Sequence, residues 1–208
     1  MSDAEAKKPT LKKRKTALGE RYVGNRGVWV FVEHEHGRVH PVSWELMGKG
    51  RQLADKLETE LAAVVIGGTQ PQVRALCDEA AQFGADLSYL MQDEVLLHYR
   101  SQPYTKGLSD LVEKFRPEVL LLGATTLGRD LAGAAATTLM TGLTADCTSL
   151  DIDTSDRSLL STRPTFGGTL MATIVNVATR PQMATVRPRV FPLPERDRTR
   201  TARIVEHP

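Results

Sequence analysis

The chain has 208 residues, of which 41% are apolar and 25% charged, and its formal net charge is +2. These values are typical of a globular domain long enough to bury a core. No apolar run has the length needed to cross a bilayer, and the N-terminus lacks the apolar core of a signal peptide, so we expect no transmembrane segment and a cytoplasmic location. Cys77 and Cys147 have no metal-type spacing, which argues against a disulfide framework or thiol redox chemistry.

The charge is concentrated at the start of the chain. Residues 1–26 hold eight Lys/Arg and three Asp/Glu, a net of +5, which leaves −3 for the rest. The run Lys12–Lys15 lies in a segment without apolar periodicity and predicts a flexible basic arm. Such a run could contact nucleic acid or an anionic membrane, but no aromatic or periodic residues accompany it, so a solvated arm is favoured and no nucleic-acid partner is expected.

From residue 27 to residue 139, buried strand-like runs alternate with amphipathic helical patterns. The strands are expected at residues 28–33, 61–66, 87–91 and 118–122, and the helices at 43–57, 71–83, 104–115 and 131–139. Strands separated by helices imply right-handed crossovers. The fold class predicted is therefore α/β, with a doubly wound, mainly parallel sheet.

After residue 142 the pattern changes to strands joined by short turns. Four strands are expected, at residues 146–152, 158–162, 170–177 and 183–187, and they predict a β-meander. Residues 192–208 are polar and rich in proline and arginine, a composition typical of a linker. The α/β domain is thus expected to occupy residues 27–191.

The turn at residues 123–130 is the first candidate site. Thr125 or Thr126 can cap the following helix, and Arg129 adds a positive charge where the helix dipole already favours anions. The turn resembles a phosphate-binding Walker motif but lacks its Lys and its Ser/Thr, so phosphate hydrolysis is not expected. Contact with an anion or nucleotide and a purely structural turn both remain open.

A second candidate lies at residues 163–168, which read Arg-Pro-Thr-Phe-Gly-Gly. Arg163 and Phe166 offer a cation and a flat ring, and Gly167 and Gly168 allow another backbone or ring to approach closely. Arg187, in the last predicted strand, could lie beside Arg163 across the meander. The group would suit a flavin or an acidic partner, although an ordinary hairpin with surface arginines explains the same residues.

No catalytic or metal site stands out. His34 and His36 could share a face and bind a divalent metal, but no third ligand is fixed nearby, so no metal is predicted. There is no Gly-x-Ser-x-Gly elbow and no supported Cys/His pair. We therefore expect no self-contained enzyme.

Seven segments together resemble the α subunit of electron transfer flavoproteins. They are GVWVFVE at 27–33, PVSWEL at 41–46, GRQLA at 50–54, GATTLGRD at 123–130, GLTADC at 142–147, RPTFGG at 163–168 and TVRP at 185–188. The resemblance covers roughly residues 27–194. It implies a Rossmann-like, adenine-nucleotide-hydrolase-like domain in an αβ heterodimer whose partner is the β subunit.

The resemblance also implies an electron carrier. Such dimers hold flavin adenine dinucleotide (FAD), mainly in a second α-subunit domain, and some hold AMP or a second FAD in the β subunit. They carry electrons from flavin dehydrogenases, such as the acyl-CoA dehydrogenases of fatty acid β-oxidation, to a quinone oxidoreductase or ferredoxin, in some members with electron bifurcation. This chain is expected to supply the scaffold domain, with residues 192–208 leading toward an FAD-binding domain that it lacks.

The residues expected nearest a flavin or nucleotide of the β subunit are Thr125, Thr126, Arg129, Arg163, Phe166, Gly167, Gly168 and Arg187. Two other functions stay open. One is a free-standing adenine-nucleotide-binding module, against which stands the absence of Gly-x-Gly-x-x-Gly after the first strand. The other is a purely structural assembly domain that binds no small molecule.

Overall fold

The computed structural model describes residues 22–208, so most of the predicted basic arm lies outside the described residues. In chain order the strands are β1 Val28–Phe31, β2 His34–Glu35, β3 Arg38–Val39, β4 Leu61–Gly67, β5 Leu87–Gln92, β6 Val119–Gly123, β7 Leu143–Cys147, β8 Ser149–Asp153, β9 Ser158–Thr165, β10 Leu170–Val175, β11 Gln182–Val186 and β12 Arg203–His207. The α-helices are α1 Val42–Leu57, α2 Pro71–Gln82, α3 Ser101–Phe115 and α4 Thr126–Thr138.

Seven of these strands form one sheet in the order β12-β5-β4-β1-β6-β11-β7. Every pairing in this sheet is parallel. The chain adds β4 and β5 on one side of β1 and β6 on the other, so the strand order reverses between β1 and β6. The predicted doubly wound parallel sheet is confirmed.

Helices cover both faces of this sheet and define two halves of the core. The inward residues of α1 and α2, among them Leu46, Leu53 and Leu76, pack on one face. Those of α3 and α4, among them Leu108 and Leu131, pack on the other. Strands covered on both sides read as unbroken apolar runs, which is why β4 and β6 are buried at every position. Within residues 22–208, no helix is long and apolar enough to cross a membrane.

The β-meander prediction is right for three strands and wrong for the fourth. β8, β9 and β10 form a three-stranded antiparallel sheet. The strand predicted at 183–187 is β11, which lies in the large sheet between β6 and β7. All five of its residues are buried, as a central parallel strand requires. The predicted strand at 146–152 is likewise divided between β7 in the large sheet and β8 in the small one.

The C-terminal segment differs from the predicted linker. β12 pairs in parallel with β5 along its whole length, from Arg203 opposite Leu87 to His207 opposite Met91. Before it, the Arg196 guanidinium lies 5.5 Å from the centre of the Phe83 ring. Backbone pairing therefore overrides a polar composition here. That the segment leads toward a further domain stays a prediction.

Candidate functional site

The start of α4 lies at the carboxyl edge of the large sheet, as predicted. The Thr125 hydroxyl accepts a hydrogen bond from the Gly128 backbone N–H at 2.9 Å and so caps the helix. The same hydroxyl donates to Glu33 Oε2 at 2.6 Å. Thr126, the first helical residue, is exposed and its side chain bonds no other described residue in 22–208. Of the two threonines, Thr125 therefore provides the cap.

Arg129 and Arg187 converge on one carboxylate, that of Asp146. Arg187 donates to it through Nη2 at 2.7 Å and Nε at 3.2 Å, and Arg129 Nη2 lies 3.4 Å away. Arg129 is held in place by a second bond, from its Nε to the Ala124 carbonyl at 3.0 Å. The hydrogen bond from Arg187 lowers the pKa of Asp146, and the charge of Arg129 acts in the same direction.

Arg163, on β9, adds a third positive charge to this group. Its charge helps to lower the pKa of Asp146, so it lies within electrostatic reach of the same carboxylate. Its Nε atom is buried and has no hydrogen-bond partner among residues 22–208. A buried N–H left without an acceptor carries an appreciable desolvation cost. We call Arg129, Arg163, Arg187 and Asp146 the arginine cluster; it carries a formal charge of +2.

Arg163 and Arg187 lie in different sheets, not in one meander as predicted. Arg187 follows β11 in the parallel sheet, whereas Arg163 belongs to the antiparallel sheet. They are not cross-strand neighbours in a meander, since Arg163 stands opposite Ala172. Arg187 instead bonds to Asp146, near the end of β7, and the charge of Arg163 acts on the same carboxylate.

Phe166, Gly167 and Gly168 form the turn between β9 and β10 and do not contact the cluster in the described structure. Phe166 is 83% exposed. Gly167 and Gly168 have positive φ angles of 67° and 90°, and a Cβ built on either would meet no heavy atom within 4 Å. The backbone conformation of the turn therefore favours glycine at both positions. The exposed Phe166 ring is accessible to a partner.

An exposed apolar surface continues from this turn along β10. Leu170 is 56% exposed, Met171 59%, Ile174 41% and Val175 36%. Within residues 22–208, β10 pairs only with β9 and is therefore an edge strand. Together with Phe166 these residues form what we call the β10 face. Exposed apolar residues clustered on an edge strand are typical of an interaction surface.

Sequence reasoning missed Asp146 and Glu33 as members of the site. Asp146 lies in the GLTADC segment, but nothing in that segment shows that two arginines from distant positions would meet there. Glu33 lies two residues beyond β1, and its contact with Thr125 joins residues 92 positions apart. In both cases the signal is tertiary, since the parallel sheet brings the carboxyl ends of β1, β6, β7 and β11 to one edge.

The histidine pair at His34 and His36 does not form a metal site. His34 Nε2 lies 3.0 Å from the Ile66 carbonyl, and its Nδ1 accepts from the Gly37 N–H at 3.4 Å, so both ring nitrogens are engaged. Within the described part of the chain, no three His, Cys, Asp or Glu side chains are grouped so that they could hold a metal ion.

Comparison with known proteins identifies the family. The family described as "Electron transfer flavoprotein domain" matches residues 28–208. This chain belongs to the electron transfer flavoprotein family. The match begins at β1 and runs through β12, so it includes the arginine cluster and the β10 face.

Individual relatives agree with the family assignment. "Protein FixB" of Azorhizobium caulinodans is 58% identical over 194 residues, covering 93% of this chain and 52% of the relative. "Protein FixB" of Bradyrhizobium diazoefficiens is 60% identical, with the same coverage. "Electron transfer flavoprotein subunit alpha" of Clostridium acetobutylicum is 50% identical over 166 residues, covering 80% of this chain and 48% of the relative. The chain spans about half the length of the curated relatives it matches.

Proposed function

We propose that this chain is the scaffold domain of the α subunit in a heterodimeric electron transfer flavoprotein. In that role it holds the β subunit and helps the dimer to carry electrons from flavin dehydrogenases, of the acyl-CoA dehydrogenase type, to a downstream quinone oxidoreductase or ferredoxin. The family membership supports the carrier role. The observation that carries the proposal is the β10 face beside the arginine cluster, because together they offer an unpartnered surface and unsatisfied positive charge.

The β10 face is suited to binding a protein subunit. Its apolar side chains lie on both sides of an edge strand, so a partner can cover them and can also pair with the free edge of the backbone. Phe166 supplies the large aromatic group that often anchors such an interface. We propose that the β subunit covers this face.

The arginine cluster fits a flavin or nucleotide held at that interface. Arg163 Nε is buried without an acceptor, and the cluster retains a charge of +2 after pairing with Asp146. Arg163 would donate to an acceptor atom of the bound group, while Arg187 and Arg129 would balance its negative charge. The FAD supplies the redox chemistry when it is bound, and these side chains position and polarise it. The principal FAD site of the dimer is expected in the second α-subunit domain.

The proposal is tested by purifying the chain together with its β subunit and recording the absorbance spectrum of the complex. We expect a one-to-one complex on size exclusion. Flavin bands in it would place a flavin in the β subunit and at the interface, which favours a bifurcating type of dimer; a colourless complex would mean that this domain supplies scaffold alone.

A double variant and a matched control test the surface. Leu170→Asp with Met171→Asp should abolish complex formation without unfolding the chain, because both side chains are exposed. Val95 is 48% exposed and lies in the short 3-10 helix that follows β5. Val95→Asp should therefore leave the complex intact. Equal behaviour of the two variants would exclude the β10 face as the interface.

The arginine cluster is tested by the flavin content of the complex. If the preparation is coloured, Arg163→Ala should lower the flavin content more than Arg116→Ala, since Arg116 lies at the end of α3, away from the cluster. Unchanged flavin content and electron transfer in Arg129→Ala and Arg163→Ala would refute the assignment of these residues.

A further inference from the structure

A second candidate site lies where the strand order reverses, and the proposed electron-transfer role does not use it. In open α/β sheets, ligands bind outside the carboxyl ends of the strands at this switch point. Here a cavity of about 560 Å³ opens beside the ends of β1 and β6. Its volume is within the range of small-molecule sites. It is bounded by the segment from Glu33 to Pro41, by residues 97–99 and by the first turn of α4.

The histidines around this cavity form its walls. His34 is held by contacts at both ring nitrogens, and burial lowers its pKa. The rings of His36 and His98 meet edge to face, with centroids 5.1 Å apart. The cavity is thus lined by several flat rings, and the exposed Glu35 and Arg38 add one charge of each sign.

Glu33 is the buried acceptor of the cavity. Its side chain lines the space while the residue is only 9% exposed. Its Oε2 atom accepts the hydrogen bond from Thr125, and within residues 22–208 no hydrogen-bond donor is assigned to Oε1. Burial raises the pKa of this carboxyl group, because removing the negative charge from water is unfavourable, while the hydrogen bond from Thr125 acts in the opposite direction. An occupant that brings an N–H donor to Oε1 would relieve this cost.

Part of the remaining wall is apolar and suits a flat group. Leu97, Tyr104 and Leu127 contribute aliphatic and aromatic surface. The Tyr104 hydroxyl is already used, since it donates to the Leu96 carbonyl at 2.9 Å. The connection after β1 has no glycine-rich loop that could cradle a phosphate, because Glu33-His34-Glu35-His36 stands there.

We infer that the switch-point cavity binds a planar heterocycle with an exocyclic amino group, of the size of a nucleobase or nucleoside, whose amino group donates to Glu33. Ring surfaces then pack on Tyr104, Leu97 and the histidine rings. The site is distinct from the arginine cluster, since none of the four cluster residues lines the cavity.

The test uses the 208-residue chain alone, without β subunit or flavin, in calorimetric titrations with adenosine, inosine, cytidine and uridine. Inosine and uridine carry a carbonyl oxygen where adenosine and cytidine carry an amino group. Adenosine should therefore bind at least tenfold more tightly than inosine, and cytidine more tightly than uridine. Equal affinities within each pair, or no binding at millimolar concentration, would overturn the inference.

A matched substitution tests the role of Glu33. In Glu33→Gln the side-chain oxygen can still accept from Thr125 while the new amide N–H₂ points toward the occupant. The preference should therefore reverse toward inosine. Glu195→Gln, an exposed position near the C-terminus, should keep the preference of the original chain. An unchanged preference in Glu33→Gln would refute the proposed contact.

A further measurement requires no variant. The ring-proton resonances of His36 and His98, which line the cavity, should shift on addition of adenosine and much less with inosine. The resonance of His207, at the far edge of the sheet in β12, should stay unchanged and serves as the control. Uniform shifts, or none, would contradict binding at this place. Neither the titrations nor the resonance measurements involve the β subunit. A failure of the nucleobase inference is therefore distinguishable from a failure of the electron-transfer proposal.

Discussion

Two glycines on α4 should respond in opposite directions to the same substitution. A Cβ built on Gly128 would lie 2.0 Å from the Gly123 carbonyl oxygen, a backbone atom that cannot turn aside. A Cβ built on Gly133 would meet no heavy atom within 4 Å. We therefore expect Gly128→Ala to destabilise the fold and Gly133→Ala to stabilise it.

The size of the first effect follows from the displacement that it forces. Contacts below 3.0 Å are essentially never seen, so the start of α4 must move by about 1 Å. Overpacking of this kind costs about 1–3 kcal/mol. The movement also stretches the 2.9 Å bond between Thr125 and Gly128, and losing a cap costs about 1 kcal/mol. Gly128→Ala should thus lower the free energy of unfolding by about 2–4 kcal/mol.

The second effect is smaller and has the opposite sign. Replacing a helical glycine by alanine removes backbone entropy from the unfolded chain and stabilises by about 0.5–1 kcal/mol. In a domain of this size, 1 kcal/mol corresponds to about 2–4 °C in Tm. Gly133→Ala should therefore raise Tm by roughly 1–4 °C, and Gly128→Ala should lower it by roughly 4–16 °C.

The assay is urea unfolding followed by circular dichroism and tryptophan fluorescence, with Tm measured in parallel. The m-value should stay the same in both variants if only the native state changes. A Gly128→Ala variant as stable as the original chain would refute the close packing of α4 on the end of β6. Destabilisation by Gly133→Ala would refute the open space at that position.

Three further predictions concern charge and thiols. Glu118→Ala removes the buried carboxylate of a bidentate pair with the partly exposed Arg157. It should lower the free energy of unfolding in urea by about 2–3 kcal/mol, since the arginine regains some water. The pKa of Asp146 is lowered in the folded state, so its contribution to stability is present above about pH 4 and is lost as the pH falls through the folded pKa; the difference in unfolding free energy between the original chain and Asp146→Asn should shrink between pH 6 and pH 3. Burial raises the pKa of Cys77 and of Cys147 to about 11, so a thiol reagent at pH 8 should label both only after urea is added.

The secondary structure of the first half was largely predictable from local pattern. Apolar runs of strand length and helical periodicity placed β1, β4, β5 and β6 and three of the four helices within a few residues of their observed bounds. The capping threonine at the start of α4 was also predictable, because Ser/Thr before a helix is a local signal.

The position of β11 and β12 could not be predicted in this way. β11 is a short run with mixed polarity, Gln-Met-Ala-Thr-Val, and only its insertion between β6 and β7 explains why every residue is buried. β12 reads as a polar linker and becomes a strand because the edge of β5 offers unpaired backbone groups. Both depend on long-range pairing, which leaves little trace in local composition.

The candidate site residues were also predictable only in part. Arg129, Arg163 and Arg187 were identifiable as candidates from their motifs, whereas Asp146, the carboxylate that binds Arg129 and Arg187, was not. The acceptor role of Glu33 was equally invisible, because it follows from burial and from a contact with Thr125.

By itself, the sequence determined the α/β class, the alternating order of the first elements and the turns at which functional groups are carried, since these depend on residue type and spacing along the chain. Only the tertiary structure decided which turns meet. It brought Arg129 and Arg187 to Asp146, left the β10 face exposed within residues 22–208 and opened a cavity beside Glu33. The physical reason is that a parallel sheet gathers the carboxyl ends of strands distant in sequence at one edge, where burial and neighbouring charge set the chemistry of each side chain.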